Sequence, residues 1–283
     1  MPTPVDYTTD PHLTEGVRAF LNTVNQGPSP EMLPISEARQ VLVDAQANVK
    51  VDLSGISTSE KTITHLGHTI KLNIVRPEKA KGVLPVFIFV HGGGWVLGDF
   101  PTHQRMVRDL VVLSDCAAVF VNYTLSPEAH YPQALDEIFA ATDWVAQHGE
   151  EISVDGKNMA IAGNSAGGNL AAVTTIRAKE NGGPHIKLQI LMWPATNDDF
   201  NTGSYQMYGE GRFLTVPLMK WSYDQYTTNQ KERDSIYVSP LHATVEQLRG
   251  LPTCLIQVAE NDILRDDGLF VQAAAELVRH LTP

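Results

Sequence analysis

Residues 161–173 read IAGNSAGGNLAAV. One hydroxyl, Ser165, stands between two apolar runs, surrounded by side chains of almost no volume. Residues 158–164 (NMAIAGN) suit a short strand, and residues 166–182 (AGGNLAAVTTIRAKENG) carry a helical pattern. The segment Gly163–Gly167 fits the pattern G-x-S-x-G, in which the serine occupies a tight, strained turn between strand and helix. A side chain two residues away on either side would strike the crossing strand and helix, which accounts for Gly163 and Gly167. Ala166 and Gly168 leave backbone N–H groups bare at a helix N-terminus, where an anion is favoured. A serine that merely caps the helix would leave the same letters in the sequence.

Working outward, the same alternation recurs. VLPVFIFV (83–90), CAAVFVNY (116–123), IKLQILMW (186–193) and TCLIQVAE (253–260) are continuous apolar runs of strand length. Such runs suit strands covered on both faces. HQRMVRDLVVLS, ALDEIFAATDWVAQHG and DGLFVQAAAELVRHL are helical patterns between or after them. Strand–helix alternation predicts an α/β fold with a mostly parallel sheet and helices on both faces. Before it, KTITHL and TIKLNIVRP flank Gly67 with period two and read as a hairpin. Residues 1–50 read as two helices around the break GPSPEMLP, and residues 196–230 are too long for a simple connection. Together they are expected to form a helical cap on a single domain spanning 1–283.

Composition narrows the class. The 283 residues are 43 % hydrophobic and 19 % charged, enough for one substantial core. No apolar stretch reaches membrane-spanning length, and the N-terminus lacks a leader pattern. The net charge of −11, with no basic run, argues against nucleic acid and anionic membranes as partners. Cys116 and Cys254 read as free thiols in a reducing cytoplasm. No Cys/His cluster has metal-ligand spacing, so neither metal nor cofactor is expected.

HGGGW (91–95) follows the strand at 83–90. Three consecutive glycines leave N–H groups unshielded, which is what an acyl-transfer transition state needs where its oxyanion develops. A phosphate cradle would look similar, but no G-K-[ST] follows. A paired acid belongs at a strand end on the same sheet edge, and residues 258–268 offer Glu260, Asp262, Asp266 and Asp267. Asp266 and Asp267 suit the first turn of the following helix, where they offset its dipole. Glu260 suits a supporting role.

HGGGW, GNSAGG, YTLSPEAHYPQALDE (123–137), FLTVPLMKWSYDQY (213–226) and LPTCLIQVAENDILRDDG (251–268), in this order, resemble the hormone-sensitive-lipase-like branch of the α/β-hydrolases, which includes bacterial carboxylesterases and acetyl esterases. The resemblance runs from about residue 50 to the C-terminus. It implies a serine carboxylesterase acting on short-chain acyl esters through an acyl-enzyme, with Ser165 as nucleophile. It also implies an oxyanion hole from the N–H groups of Gly93, Gly94 and Ala166, and Asp262 as the acid. Trp95, Trp193, Phe213 and Leu214 are candidate substrate-pocket residues, as are Met192, Tyr205 and Tyr208, and for each core packing is the competing role. Two positions depart from the pattern. Asn164 stands where Asp is usual, and Thr124 stands where Arg is usual, so a buried ion pair near Glu128 is not expected. Both are expected to affect stability or the pH profile.

The expected chain order is serine, acid, histidine. Only His280 follows Asp262, and its helix runs away from the catalytic edge, which puts it roughly 20 Å from that edge. The family pattern continues with a loop, a strand and then the histidine, and those are expected beyond Pro283. A sheet edge left open in this way would favour homodimers. A receptor-like protein that binds a small molecule on the same fold without turnover is the alternative reading, because it needs no base.

Overall fold

The computed structural model describes residues 3–47 and 49–281, the last five by their backbone alone. Seven strands form one sheet among the described residues: β1 (Ile56–His65), β2 (His68–Pro77), β3 (Leu84–Val90), β4 (Ala117–Asn122), β5 (Val154–Asn164), β6 (Leu188–Met192) and β7 (Thr253–Gln257). Their spatial order is β1-β2-β4-β3-β5-β6-β7. β1 and β2 pair antiparallel from Ile56↔Pro77 to His65↔His68, so the hairpin turns at Leu66–Gly67 as the alternation predicts. β2 also runs antiparallel to β4. The remaining neighbours are parallel.

Ten α-helices accompany the sheet among the described residues. α1 (Glu15–Val24) and α2 (Ile35–Ala47) precede it. α3 (Phe100–Ser114), α4 (Gln133–His148) and α5 (Ala166–Glu180) connect the central strands. α6 (Gly203–Tyr208), α7 (Val216–Tyr226), α8 (Gln230–Arg233) and α9 (Val245–Leu248) lie between β6 and β7, and α10 (Arg265–Leu281) follows β7.

Strand alternation explains the layers. On β3, Val86, Ile88 and Val90 face a core shared with Ile138 of α4 and Leu170 of α5. Phe87 and Phe89 face the opposite core, shared with Val107 and Val111 of α3. Both faces of β3, β4 and β5 are therefore buried, and continuous apolar runs were the only patterns that could satisfy both. β7 departs from that expectation. Thr253, Leu255 and Gln257 are exposed while Cys254 and Ile256 are partly covered, and Leu255 is 55 % exposed. Two of its three exposed positions, Thr253 and Gln257, are polar, and as the terminal strand of the described sheet it keeps one face open.

The N-terminal helices are pinned to the sheet by long-range polar contacts. Arg39 of α2 donates to both carboxylate oxygens of Glu128 (2.8 and 2.6 Å) and to the carbonyls of Val96 and Ser126. Glu128 thus has an ion-pair partner from a helix 89 residues upstream, although not a buried one. That pair is part-exposed. Thr124 instead serves Glu137, donating its N–H and hydroxyl at 2.6 and 2.8 Å.

Candidate active site

Four parallel strands end around one cavity of about 470 Å³. Gly93 and Gly94 after β3, Ser165 after β5, Trp193 after β6, and Asp262 after β7 line it. Residues 30–46 and 212–222 complete the wall from the other side, through Leu42 of α2 and Met219 of α7 among others. Loops at the C-terminal ends of a parallel sheet are where α/β folds place their ligands.

Ser165 links β5 directly to α5 with φ 55° and ψ −123°, a backbone region that L-residues seldom occupy. Its backbone is held on both sides: the N–H donates to Met192 (2.9 Å), and the carbonyl accepts from Asn169 (3.0 Å) and Ala195 (3.2 Å). Its side chain makes no capping bond to α5, which removes the reading of a mere helix cap. Close packing explains the flanking glycines. A methyl group on Gly163 would lie 2.2 Å from the Gly167 carbonyl oxygen, and one on Gly167 would lie 2.1 Å from that of Val90.

The glycine loop is equally constrained. Gly93 and Gly94 have φ of 111° and 61°. The Gly93 carbonyl accepts from Val96 and Leu97 at 3.1 and 2.8 Å. Among the described residues, the N–H groups of Gly93, Gly94 and Ala166 donate no hydrogen bond. Ala166 opens α5, so its N–H is one of the free donors at that helix's positive end.

The acids divide by partner. Asp262 lies in the loop between β7 and α10, and its Oδ1 accepts from Leu264 N–H at 2.8 Å. Burial raises its pKa, and that bond only partly opposes the shift. Glu260 faces solvent beside His12 at 3.2 Å, so the supporting role expected for it has no contact behind it. Asp266 and Asp267 do open α10, but their oxygens serve another segment. Asp266 accepts from Ser204 N–H (2.8 Å), and Asp267 accepts from Thr196 (2.8 Å) and Asn197 (3.2 Å). They tie the stretch after β6 to the N-terminus of α10.

Trp193, Phe213 and Leu214 line the cavity. Trp95, expected beside them, does not line it. It is fully buried, stacked on Tyr226 at 4.7 Å and edge-on to Tyr223 at 4.8 Å, so α7 covers it completely. Met192, Tyr205 and Tyr208 are also buried and absent from the lining.

The sequence reading passed over one lining residue, His103. It belongs to the first turn of α3, whose capping box joins Asp99 and Thr102. A box of that kind marks where a helix starts, but no local pattern in the sequence marks His103 as facing the cavity. Burial holds the His103 pKa down to about 4. His91 is buried too, stacked on Tyr123 at 4.4 Å, with its pKa pushed by burial to about 3. Neither ring contacts Ser165 or Asp262 through a hydrogen bond. His280 falls in the last turn of α10, and its side chain lies outside the described residues.

No group of His, Cys, Asp and Glu among the described residues is arranged to hold a metal ion. No described helix is long and apolar enough to cross a membrane.

Known proteins share this fold. The family model described as alpha/beta hydrolase fold matches residues 87–280. A thermostable esterase from Pseudomonas putida has a solved structure that superposes with a TM-score of 0.94 at 54 % identity, covering 95 % of this chain and 85 % of that one. Carboxylesterase NlhH of Mycobacterium tuberculosis is 34 % identical, with 76 % of this chain and 68 % of the relative covered. Ethyl acetate hydrolase of Pseudomonas putida is 28 % identical over 91 % of this chain and 84 % of the relative.

Proposed function

The chain belongs to the alpha/beta hydrolase family, in its hormone-sensitive-lipase-like carboxylesterase branch, and on that premise we propose how its residues divide the reaction. The protein is a carboxylic ester hydrolase. Ser165 Oγ attacks the ester carbonyl carbon and forms a tetrahedral intermediate. The oxyanion is met by the N–H groups of Gly93, Gly94 and Ala166. Each donor of this kind lowers the barrier by about 3–4 kcal/mol. The serine proton passes to an imidazole held by Asp262 and from there to the departing alcohol. Water then cleaves the acyl-enzyme by the same steps in reverse order.

One observation carries the reading: a serine in a strained turn shares its cavity with two of the three N–H donors and with Asp262. The burial of Asp262 suits a carboxylate that orients an imidazole rather than one that sits in water. Residues 1–50 and 196–230 act as the cap, and Phe213, Leu214 and Trp193 bound the space for the acyl or alcohol group. Short acyl esters are the preferred substrates, a reading supported by the ethyl acetate hydrolase relative. The reaction belongs in a reducing cytoplasm, with Cys116 and Cys254 as free thiols.

A series of p-nitrophenyl esters from acetyl to octanoyl tests the substrate class. The expected result is the highest kcat/KM at the acetyl to butyryl end, with all turnover lost in Ser165→Ala. A rate that climbs steadily to octanoyl contradicts the short-acyl assignment, and turnover that survives Ser165→Ala contradicts the nucleophile.

A further inference from the structure

The Gly92 peptide groups are gripped from two sides. The Gly92 N–H donates to Asn164 Oδ1 at 3.1 Å, and the Gly92 carbonyl accepts from His91 Nδ1 at 2.7 Å. The carbonyl of His91 accepts the Tyr123 hydroxyl at 2.9 Å. Asn164 and Tyr123 hold the His91–Gly92 peptide, and His91 Nδ1 holds the carbonyl of the Gly92–Gly93 peptide; in that second plane the Gly92 carbonyl and the Gly93 N–H are rigidly joined, so fixing the carbonyl aims the N–H.

Proton positions follow. The Asn164 oxygen faces Gly92, so its NH2 faces His103 Nε2, at 3.5 Å, a long contact. That nitrogen presents its lone pair, and the His103 proton sits on Nδ1, near the Asp99 carbonyl (3.2 Å) and the Thr102 hydroxyl (3.1 Å). Asn164 and His103 are each 8 % exposed, and both line the Ser165 cavity. Gly98 closes the knot. A methyl group there would lie 2.8 Å from the Gly92 oxygen and 3.1 Å from His103 Cε1.

We infer that Asn164, oriented by His103, is a positioning residue that anchors the His91–Gly92 peptide, the base from which His91 fixes the Gly92 carbonyl, and thereby supports the aim of the oxyanion donors that follow. The inference rests on the assignment of the Gly93 and Gly94 N–H groups proposed above. Asn164 needs both halves of its amide for this task. The oxygen holds Gly92, and among the described residues the acceptor that the NH2 faces is the unprotonated His103 Nε2. The titratable groups that face His103 among the described residues are Asp99, which favours its charged form, and His91, which is itself held neutral by burial.

The test combines kinetics with p-nitrophenyl butyrate and NMR titration of the His103 Cε1–H, between about pH 4 and pH 9. Asn164→Asp keeps the acceptor for Gly92 but turns a carboxylate toward His103, which favours the protonated imidazole. Its midpoint is expected to rise by roughly two pH units or more. His103→Leu removes the acceptor for the Asn164 NH2. It is expected to lower kcat by about tenfold to a hundredfold with little change in KM, and His103→Gln, which restores an acceptor, recovers most of the loss. An unchanged His103 titration in Asn164→Asp, or wild-type kcat in His103→Leu, overturns the inference. Wild-type turnover that survives Ser165→Ala overturns the site assignment and the positioning role with it. The titration, read without substrate, shows separately whether the Asn164–His103 contact exists.

Discussion

Asp10 and Arg212 form a 2.7 Å ion pair across 202 residues of sequence, with side chains 2 % and 4 % exposed. The Arg212 guanidinium also donates to the Val5 carbonyl at 3.2 Å and lies over the Tyr208 ring at 4.9 Å. The pair fastens the N-terminal segment to the stretch that carries Phe213 and Leu214. Removing one partner strands a buried charge, which typically costs about 3–5 kcal/mol. Asp10→Ala should lower the urea midpoint accordingly, whereas replacing both residues by apolar side chains should cost much less. Equal losses in the single and double variants would show that the pair is not coupled.

Asp267 sets a pH dependence of stability. Burial pushes its pKa up to about 7, against the Thr196 and Asn197 N–H bonds that pull it down. An unfolded carboxyl ionises near about pH 4. Between those values the folded chain holds a proton that the unfolded chain has released. Stability from this group is therefore full at low pH and falls as pH rises toward 7, by up to about 4 kcal/mol. Asp267→Asn keeps an acceptor for both N–H groups and cannot ionise. Urea unfolding at about pH 5 and pH 8 should show a smaller pH effect in Asp267→Asn than in the wild type. Identical pH effects would place the Asp267 pKa near its ordinary value.

The two elbow glycines should not tolerate a methyl group. In Gly167→Ala the new carbon meets the Val90 oxygen at 2.1 Å and the His91 carbonyl at 2.6 Å, all of it backbone. Either β3 or α5 must move, and Ser165 moves with them. Turnover should fall by about a hundredfold or more, since misplacement of about 1 Å suffices for that. Gly16→Ala is the control: it lies in α1 with nothing within 4 Å and should be neutral or slightly stabilising.

His280 should be dispensable for chemistry. Its backbone stands in the last turn of α10, roughly 20 Å along the helix from Arg265. His280→Ala should leave kcat for p-nitrophenyl butyrate unchanged. A loss of several orders of magnitude would identify His280 as the base.

Much of this architecture was legible because it is local. The strands at 84–90 and 117–122 announce themselves by apolar runs, the hairpin by period two around Gly67, and the elbow by glycines that a packed turn requires. What escaped depends on partners far away in sequence. Leu255 belongs to an apolar run, yet its exposure is decided by which elements reach β7. Trp95 sits beside the glycine loop, and only Tyr223 and Tyr226 of α7 turn it into core. His103 carries no motif of its own, and its place in the site is set by the Asp99–Thr102 cap and by Asn164 at the end of β5. The Arg39–Glu128 and Asp10–Arg212 pairs likewise join segments that no local pattern connects.

The most direct measurement is reaction of the protein with a fluorophosphonate, followed by mass spectrometry of its peptides. The phosphonyl group should attach to Ser165 alone, at a rate that Gly94→Ala slows sharply, because the phosphonyl oxygen needs the same bare N–H groups as the ester oxyanion. Labelling at another residue, or no labelling while ester turnover continues, would contradict a nucleophile at Ser165.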